Sequence, residues 1–431
     1  MLKTILQLML RRCAKKIIKK YKPDVIGITG SIGKTSTKEA IATILGSKFN
    51  VRFNKKNYNN EIGLPLTIIG VDKTPGKDIF GWFKVFSKAF ALRFKKDKNY
   101  PDILVLEMGA DKPGDIEYLL DIAPCKVGVL TFIGSAHIEF FKTIKKIAQE
   151  KRLIVSHLKE DGFAVLNFDN EMVMQNAKTN AETFTYGFKD GADFQATDVN
   201  IIFDEQTHWP TGLNFKVSYQ GNTVPVFLPD FIAEQFIPAA LAGLAVGHIF
   251  GINLVEGAMA LRNIKPLPGH MRIISGIKQT LLIDDTYNSS PDAVRSALIA
   301  SSKITPQGNG KRIVVLGDML ELGADTENAH REIGFRVAEF NFDFLITVGE
   351  ASKKFTAQAA KEAGMDENKI AVFDESMTAG KFLQDKMEKG DVILVKGSQG
   401  LRMEKIVKEV MAEPEKACEL LVRQEDYWIK K

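Results

Sequence analysis

Cysteine and histidine are scarce in this chain, with three cysteines (Cys13, Cys125, Cys418) and six histidines among 431 residues. An odd number of scattered cysteines argues against a disulfide framework, and none has the spacing of a metal knuckle. A reducing cytoplasm is the simplest setting. Charge of one sign is also in short supply. The formal net charge of +5 is too slight to imply a nucleic-acid partner. The apolar part of the N-terminal segment is too short to span a bilayer and lacks a small-residue cleavage site, which excludes a transmembrane helix and a secretory leader there. No short-period repeat is present. A hydrophobic content of 45% and a charged content of 26% are ordinary for globular chains, and the length suggests two or three domains.

The most informative run is Gly27-Ile28-Thr29-Gly30-Ser31-Ile32-Gly33-Lys34-Thr35-Ser36. A short apolar strand, Val25 to Ile28, leads into it, and a helical pattern from Lys38 to Leu45 follows. Strand, glycine loop and helix in this order form a nucleotide phosphate site. The glycines let backbone N–H groups turn toward phosphate oxygens, and the helix N-terminus adds partial positive charge. Lys34 reaches the outer phosphates and the Thr35 hydroxyl can hold Mg²⁺. The strict P-loop glycine is replaced by Ile28, so the pattern reads Thr-Gly-x-x-Gly-Lys-Thr.

Two segments are basic and amphipathic. In the first, residues 1–24, Leu2, Ile5, Leu6, Met9 and Leu10 recur at helical spacing ahead of Arg11, Arg12, Lys15, Lys16, Lys19 and Lys20. In the second, within about 76–100, an apolar stripe of Ile79, Phe83, Phe86 and Phe90 stands beside Lys84 and Lys88. Aromatics on one side and lysines on another suit a membrane interface. The alternative is that each helix packs on its domain with a solvated basic face.

Elsewhere strands alternate with helices. Asn57 to Pro65 is polar and turn-rich, unlike core. Ile103-Leu104-Val105-Leu106 reads as a buried parallel strand that places Glu107 at its C-terminal end, the ligand side of open α/β sheets. Val127 to Leu130 is the next strand, and a helix carrying Lys151 follows. Between about Gly191 and Pro229 alternation suggests antiparallel strands. Ile264 to Gly269 reads as a linker. Beyond it, strands at Leu281–Asp285, Ile313–Asp318, Phe344–Gly349 and Val392–Gly397 indicate a second doubly wound domain. The expected fold is therefore α/β: a P-loop ATP-binding domain with a mostly parallel sheet over 25–267, then a Rossmann-like domain over 268–431.

Taken together, the phosphate loop, Asn59-Asn60-Glu61-Ile62-Gly63-Leu64-Pro65, Glu107-Met108-Gly109-Ala110, Asp284-Asp285-Thr286-Tyr287-Asn288-Ser289-Ser290-Pro291, Leu316-Gly317-Asp318-Met319-Leu320-Glu321-Leu322-Gly323 and Val395-Lys396-Gly397-Ser398 resemble the Mur ligases. Within that family they look like the type that adds D-alanyl-D-alanine in peptidoglycan synthesis. The resemblance covers about Val25 to Met411. It implies an ATP- and Mg²⁺-dependent ligase that converts a carboxylate to an acyl phosphate and joins it to an amine.

The resemblance also implies roles. Gly30, Ser31, Gly33, Lys34, Thr35 and Ser36 would hold the phosphates. Thr35 and Glu107 would hold one Mg²⁺, with His137 serving a second. Lys151 stands where the family carries a lysine carbamylated by CO₂, which turns a cation into a metal-facing carboxylate, unless it is an ordinary surface lysine. Tyr287, Asn288 and Asp318 fit the base and ribose, although Asp318 could be only a helix cap. His330 fits a structural place in its helix. Asn59, Asn60, Lys396, Ser398 and Arg402 fall on the substrate side. The family generally shows Gly-Arg after the linker, and this chain has Gly269-His270-Met271-Arg272, so either Arg272 or His270 meets the phosphates. Relatives often carry a His…Asn pair where this chain has Gln235 and Ala239. Only about twenty-four residues precede the ATP strand, so the family's usual domain for the uridine-diphosphate end is expected to be missing.

The implied partners are small molecules, a nucleotide- or lipid-linked muropeptide and D-Ala-D-Ala, with no nucleic acid. A cytoplasmic monomer is expected, with peripheral contact to the inner membrane if the basic segments bind lipid. Alternatives are a ligase for another acceptor, such as a pseudomurein-type precursor or polyglutamate-type chain, or an ATP-binding protein without ligation. The joint presence of Lys34, Thr35, Glu107 and His137 speaks against the last.

Overall fold

The computed structural model describes residues 2–55, 58–134, 138–425 and 428. The chain divides into two compact units, one of residues 1–199, 215–227 and 235–264, the other of residues 200–214, 228–234 and 265–431.

The nine-stranded sheet comprises β1 (Asp24–Thr29), β2 (Val51–Phe53), β3 (Ile103–Glu107), β4 (Val127–Leu130), β5 (Phe163–Asn167), β6 (Glu182–Gly187), β7 (Phe194–Phe203), β8 (Pro210–Tyr219) and β9 (Asn222–Pro229). Their order is β2-β3-β1-β4-β5-β6-β7-β8-β9, and the pairings from β2 through β7 are parallel. The strands β3 and β4 are buried along their whole length, as continuous apolar runs require in a covered parallel sheet. The register sets Ile28 beside Glu107 and Thr29 beside Leu130, so the loop after β1 emerges between the ends of its two neighbours. Alternating burial in β8 and a two-residue turn at Gln220-Gly221 (φ 47° and 79°) make β8 and β9 an antiparallel hairpin.

The first four helices of this unit are α1 (Leu2–Tyr21), α2 (Lys34–Leu45), α3 (Gly63–Ile69) and α4 (Ile79–Phe94). The helix α2 begins at Lys34, four residues before the helical pattern in the sequence does, because Gly33 turns the chain at φ 83°. It packs against the helix Ile237–Ile249, whose Gly243 and Gly247 leave room for Ala40 and Ile44. The turn expected over Asn57–Pro65 gives way at Gly63 to α3, every residue of which is buried. The Asn60 side chain starts that helix, its Oδ1 accepting from the N–H of Gly63 at 2.9 Å. Leu64, Leu66, Ile68 and Ile69 then enter the core, an outcome masked by the asparagines ahead of them.

The basic N-terminal segment is helical as expected, but its inward face is Leu10, Ala14 and Ile17, while Ile5, Leu8 and Met9 are exposed. Arg11 and Lys15 pair with Asp121 of helix α5 (Asp115–Ile122). Of the expected stripe in α4, Ile79, Phe83 and Phe90 point away from the core while Phe86 is partly buried against it, and Val85, Ala89 and Leu92 are the buried residues.

The six-stranded sheet of the second unit comprises β10 (Arg272–Gly276), β11 (Thr280–Asp285), β12 (Arg312–Gly317), β13 (Phe344–Val348), β14 (Ile370–Phe373) and β15 (Val392–Lys396), in the order β10-β11-β15-β12-β13-β14. All neighbours are parallel except β10 with β11.

The face assignment of α1 gives a direct expectation. Leu10→Ala should destabilise the protein by about 2–5 kcal/mol through a buried cavity. Leu8→Ala should change stability by less than about 0.5 kcal/mol. Urea unfolding of both variants checks this, and equal losses would contradict the packing of α1.

Candidate functional site

The phosphate loop is built by close contacts that exclude side chains. A Cβ on Gly30 would lie 2.0 Å from the Thr131 hydroxyl oxygen. Thr131, which follows β4, donates through that hydroxyl to the carbonyl of Ile32 at 2.6 Å. The Ser31 hydroxyl exchanges hydrogen bonds with Gly134, donating to its carbonyl (3.2 Å) and accepting from its N–H (3.1 Å). The loop is thus clamped to the chain leaving the neighbouring strand. No side chain caps the N-terminus of α2. Its first N–H groups therefore point out of the helix as free donors, the local condition for anion binding.

Two ammonium groups converge here. Lys34 Nζ and Lys151 Nζ both donate to the Gly30 carbonyl, at 2.7 Å and 3.0 Å. Lys151 is almost wholly buried, and burial, aided by the charge of Lys34, pushes its pKa down to about 7. Burial also lowers the pKa of Lys34. Glu107 and Asp111 attract both ammonium groups and Glu150 attracts Lys151, yet burial outweighs them and holds both pKa values down, so a further anion beside the two lysines would be stabilised. Lys34, Lys151, Asn59, Asp111 and Tyr118 line a cavity of about 110 Å³.

Glu107 is the oxygen-ligand end of this site. Buried at the tip of β3, it accepts from the Thr35 hydroxyl at 3.0 Å and from the Asn59 amide at 3.0 Å. Mg²⁺ takes few protein oxygens, one or two carboxylates with the rest from phosphate and water. Thr35 and Glu107 fit that donor set, although no group of three or more His, Cys, Asp or Glu that could hold a metal occurs among the described residues. His137 lies outside the described residues. Protonated, Lys151 has no lone pair to offer a metal.

Three residues that sequence reasoning missed hold these groups. Asn54 accepts from the N–H of Glu107 at 2.7 Å and donates to its carbonyl at 3.1 Å. Lys38 is buried with its ammonium 3.9 Å from Glu107 and 3.3 Å from Glu39. Glu150 accepts from Gly114 (2.9 Å) and Ile116 (2.7 Å), capping α5 and fixing the helix Ile144–Lys151. Only Lys38 carried a sequence signal, as a lysine one turn beyond Lys34. Asn60, grouped with Asn59 on sequence, uses its Oδ1 to cap α3 and also lines the cavity.

In the second unit the expected residues gather at the C-terminal ends of β11, β12 and β15. Lys396 is buried, 2.6 Å from Asp285 and 2.9 Å from the Asn288 carbonyl. The Ser398 hydroxyl accepts from the N–H of Leu320 at 2.9 Å. Asp318 accepts from the N–H groups of Ser352 (2.6 Å) and Ala351 (3.3 Å), so it joins the end of β12 to the loop after β13. Asp284 and Asp285 bind the turn before β10, accepting from Gly269 (2.9 Å) and Met271 (3.2 Å). Burial raises the Asp284 pKa to about 6. That turn stacks His270 on Tyr287 at 4.5 Å, while Arg272 donates to the Glu419 carbonyl at 3.2 Å. Arg402 pairs with Glu404 and donates to the Trp428 carbonyl. His330 is buried and structural. Its Nε2 accepts from Met319 at 3.0 Å, Nδ1 faces the Thr326 carbonyl, and burial lowers its pKa toward the neutral form.

Comparison with known proteins gives a consistent result. The Mur ligase middle domain matches residues 28–78 and 88–245, and the Mur ligase, glutamate ligase domain matches residues 269–399. The UDP-N-acetylmuramoyl-tripeptide–D-alanyl-D-alanine ligase of Bacillus subtilis is 31% identical over 405 residues, covering 94% of this chain and 79% of the relative. The crystal structure of MurF ligase from Thermotoga maritima in complex with ADP superposes with a TM-score of 0.76 at 28% identity, covering 95% of this chain and 84% of that one. A crystal structure of MurF from Acinetobacter baumannii gives 0.75 at 25% identity, covering 93% and 79%.

Burial of Lys151 makes stability depend on pH with a defined sign. Below about pH 7 both folded and unfolded states carry the charge, and the folded state bears the full cost of desolvating it. Between about 7 and the ordinary value of 10.5 only the unfolded chain keeps the proton, so stability should climb. In CO₂-free buffer, the unfolding free energy of the parent minus that of Lys151→Met should rise above pH 7, by up to about 1.4 kcal/mol per pH unit. A flat difference would contradict the buried amine.

Proposed function

Because the chain belongs to the Mur ligase family of ATP-dependent, ADP-forming ligases, we propose that it joins D-alanyl-D-alanine to the free carboxylate of a muropeptide precursor in peptidoglycan synthesis. The observation that carries this reading is the convergence of Lys34 and Lys151 on Gly30 beside the Thr35–Glu107 pair. Its support also includes the printed activity of the Bacillus subtilis relative.

In this reading the acceptor carboxylate attacks the terminal phosphorus of ATP, ADP departs, and an acyl phosphate forms. The amine of the dipeptide then attacks the carbonyl carbon and phosphate leaves. Mg²⁺ held by Thr35 and Glu107, with His137 serving a second ion, would neutralise charge over the outer phosphates. The protein's own part is positioning. Gly30, Ser31, Gly33 and Ser36 present the loop, Lys34 spreads the transferring charge, and Asn54 with Asn59 holds Glu107 in place. We assign Tyr287, Asn288 and Asp318 to the nucleotide, Arg272 to its phosphates, and Asn59, Asn60, Lys396, Ser398 and Arg402 to the acceptor and amine. The central domain is taken as 25–267 and the C-terminal domain as 268–431. The lowered pKa of Lys151 leaves free amine at neutral pH, the form that reacts with CO₂, which supports a carbamate there. We place the enzyme in the cytoplasm as a monomer, with the inner membrane surface as its neighbour.

Phosphate release from ATP, measured with acceptors and amines supplied pairwise, tests this. Turnover should require a muropeptide tripeptide together with D-Ala-D-Ala. Release with a polyglutamate-type acceptor instead would overturn the substrate assignment. Lys34→Ala should lower kcat/KM by about a hundredfold or more, as loss of an electrostatic donor does. Parental turnover in that variant would sink the phosphate-site reading. Under ¹³CO₂ the parent should show a carbamate resonance that Lys151→Arg lacks, and its absence from the parent would refute the modification.

A further inference from the structure

The helix α4 is apolar on two opposite faces. Val85, Ala89 and Leu92 face the core, while Ile79, Phe80, Phe83, Phe90 and Phe94 are 60–82% exposed on the other side. Five large side chains on one solvent-facing stripe form a contiguous patch of the kind that marks an interaction surface. Ligation does not account for it. The family match skips residues 79–87 and begins at residue 28, leaving α1 and the first half of α4 outside it.

Charge identifies the occupant. Residues 1–23 hold eight lysines and arginines and no acid, and residues 77–98 hold seven against Asp78 and Asp97. The whole chain is only +5, so everything outside these two segments is net acidic. The two segments also form one module. Lys20 donates to the Leu92 and Lys95 carbonyls at 2.8 Å and 2.6 Å, and the Tyr21 hydroxyl donates to Leu92 at 3.0 Å. Lys84 stands beside the aromatic stripe, and Lys95, Lys96 and Lys98 follow its C-terminal end, all exposed. Ile5, Leu8 and Met9 of α1 add exposed apolar surface.

We propose that α4, with the basic helix α1, docks this enzyme on a membrane surface rich in anionic phospholipid. The phenylalanines enter the headgroup–acyl boundary and the lysines meet lipid phosphates. No helix among the described residues is long and apolar enough to cross a membrane, so this contact lies in the interfacial plane. The proposal does not depend on which acceptor the enzyme uses.

The test is vesicle flotation of the full chain, with phosphatidylglycerol–phosphatidylcholine vesicles against phosphatidylcholine alone. Binding should require the anionic lipid and weaken as salt is raised. Phe80→Ser with Phe83→Ser and Phe90→Ser should lower it by roughly tenfold or more. Lys84→Glu with Lys95→Glu and Lys96→Glu should lower it by about fivefold per position. Where the serine variant fails to fold, the lysine variant carries the test. Absence of binding at low salt, equal binding to neutral vesicles, or binding unchanged in a folded variant would overturn the proposal. So would a dimer, seen by sedimentation equilibrium, that the serine substitutions dissociate.

Discussion

Two lysines that converge on one backbone carbonyl, Lys151 buried and Lys34 partly so, are the constraint around which the first unit is organised. Lys34 arrives from the helix after β1 and Lys151 from a helix far along the chain, yet both end on Gly30. Burial holds both pKa values down despite the attraction of Glu107 and Asp111, and the uncapped start of α2 offers its N–H groups to the same place. The parallel order β3-β1-β4 makes the geometry possible by setting Glu107 and Thr131 on either side of the loop. Membership of an ATP-dependent ligase family gives the anion suited to the loop its chemical identity as a polyphosphate.

Around this centre the fold supplies rigidity more than reactive side chains. Asn54 grips both backbone groups of Glu107, Asn59 and Thr35 grip its carboxylate, and Glu150 secures the helix that delivers Lys151. In the second unit Asp284 and Asp285 do comparable work, tying the turn at Gly269–Met271 to the end of β11. Phosphoryl transfer needs little covalent help from protein and much positioning, and these contacts provide it.

Much of this was legible in the sequence, for local reasons. The loop and the strands β3, β4, β11, β12, β13 and β15 carry their own patterns, apolar runs that in all but β4 end at or beside Gly, Asp or Glu. The rest depended on distant partners. Nothing near Asn60 announces that it caps a buried helix. Burial of Lys38 and Lys151 arises from the packing of other segments, which no local charge pattern reveals. In α4 the pattern left open whether the larger apolar stripe faced a membrane interface or the domain, and the packing is done by Val85, Ala89 and Leu92 on another side of the helix. Asp318, read as a ribose contact or a helix cap, joins two loops through backbone N–H groups.

The central claim is that this site activates a carboxylate by phosphorylating it. The most direct measurement uses an acceptor whose reacting carboxylate is labelled with ¹⁸O, followed by mass analysis of the phosphate released during ligation. Passage through an acyl phosphate predicts one ¹⁸O atom in each phosphate formed from fully labelled acceptor. Phosphate free of label, with amide product still made, would contradict the account.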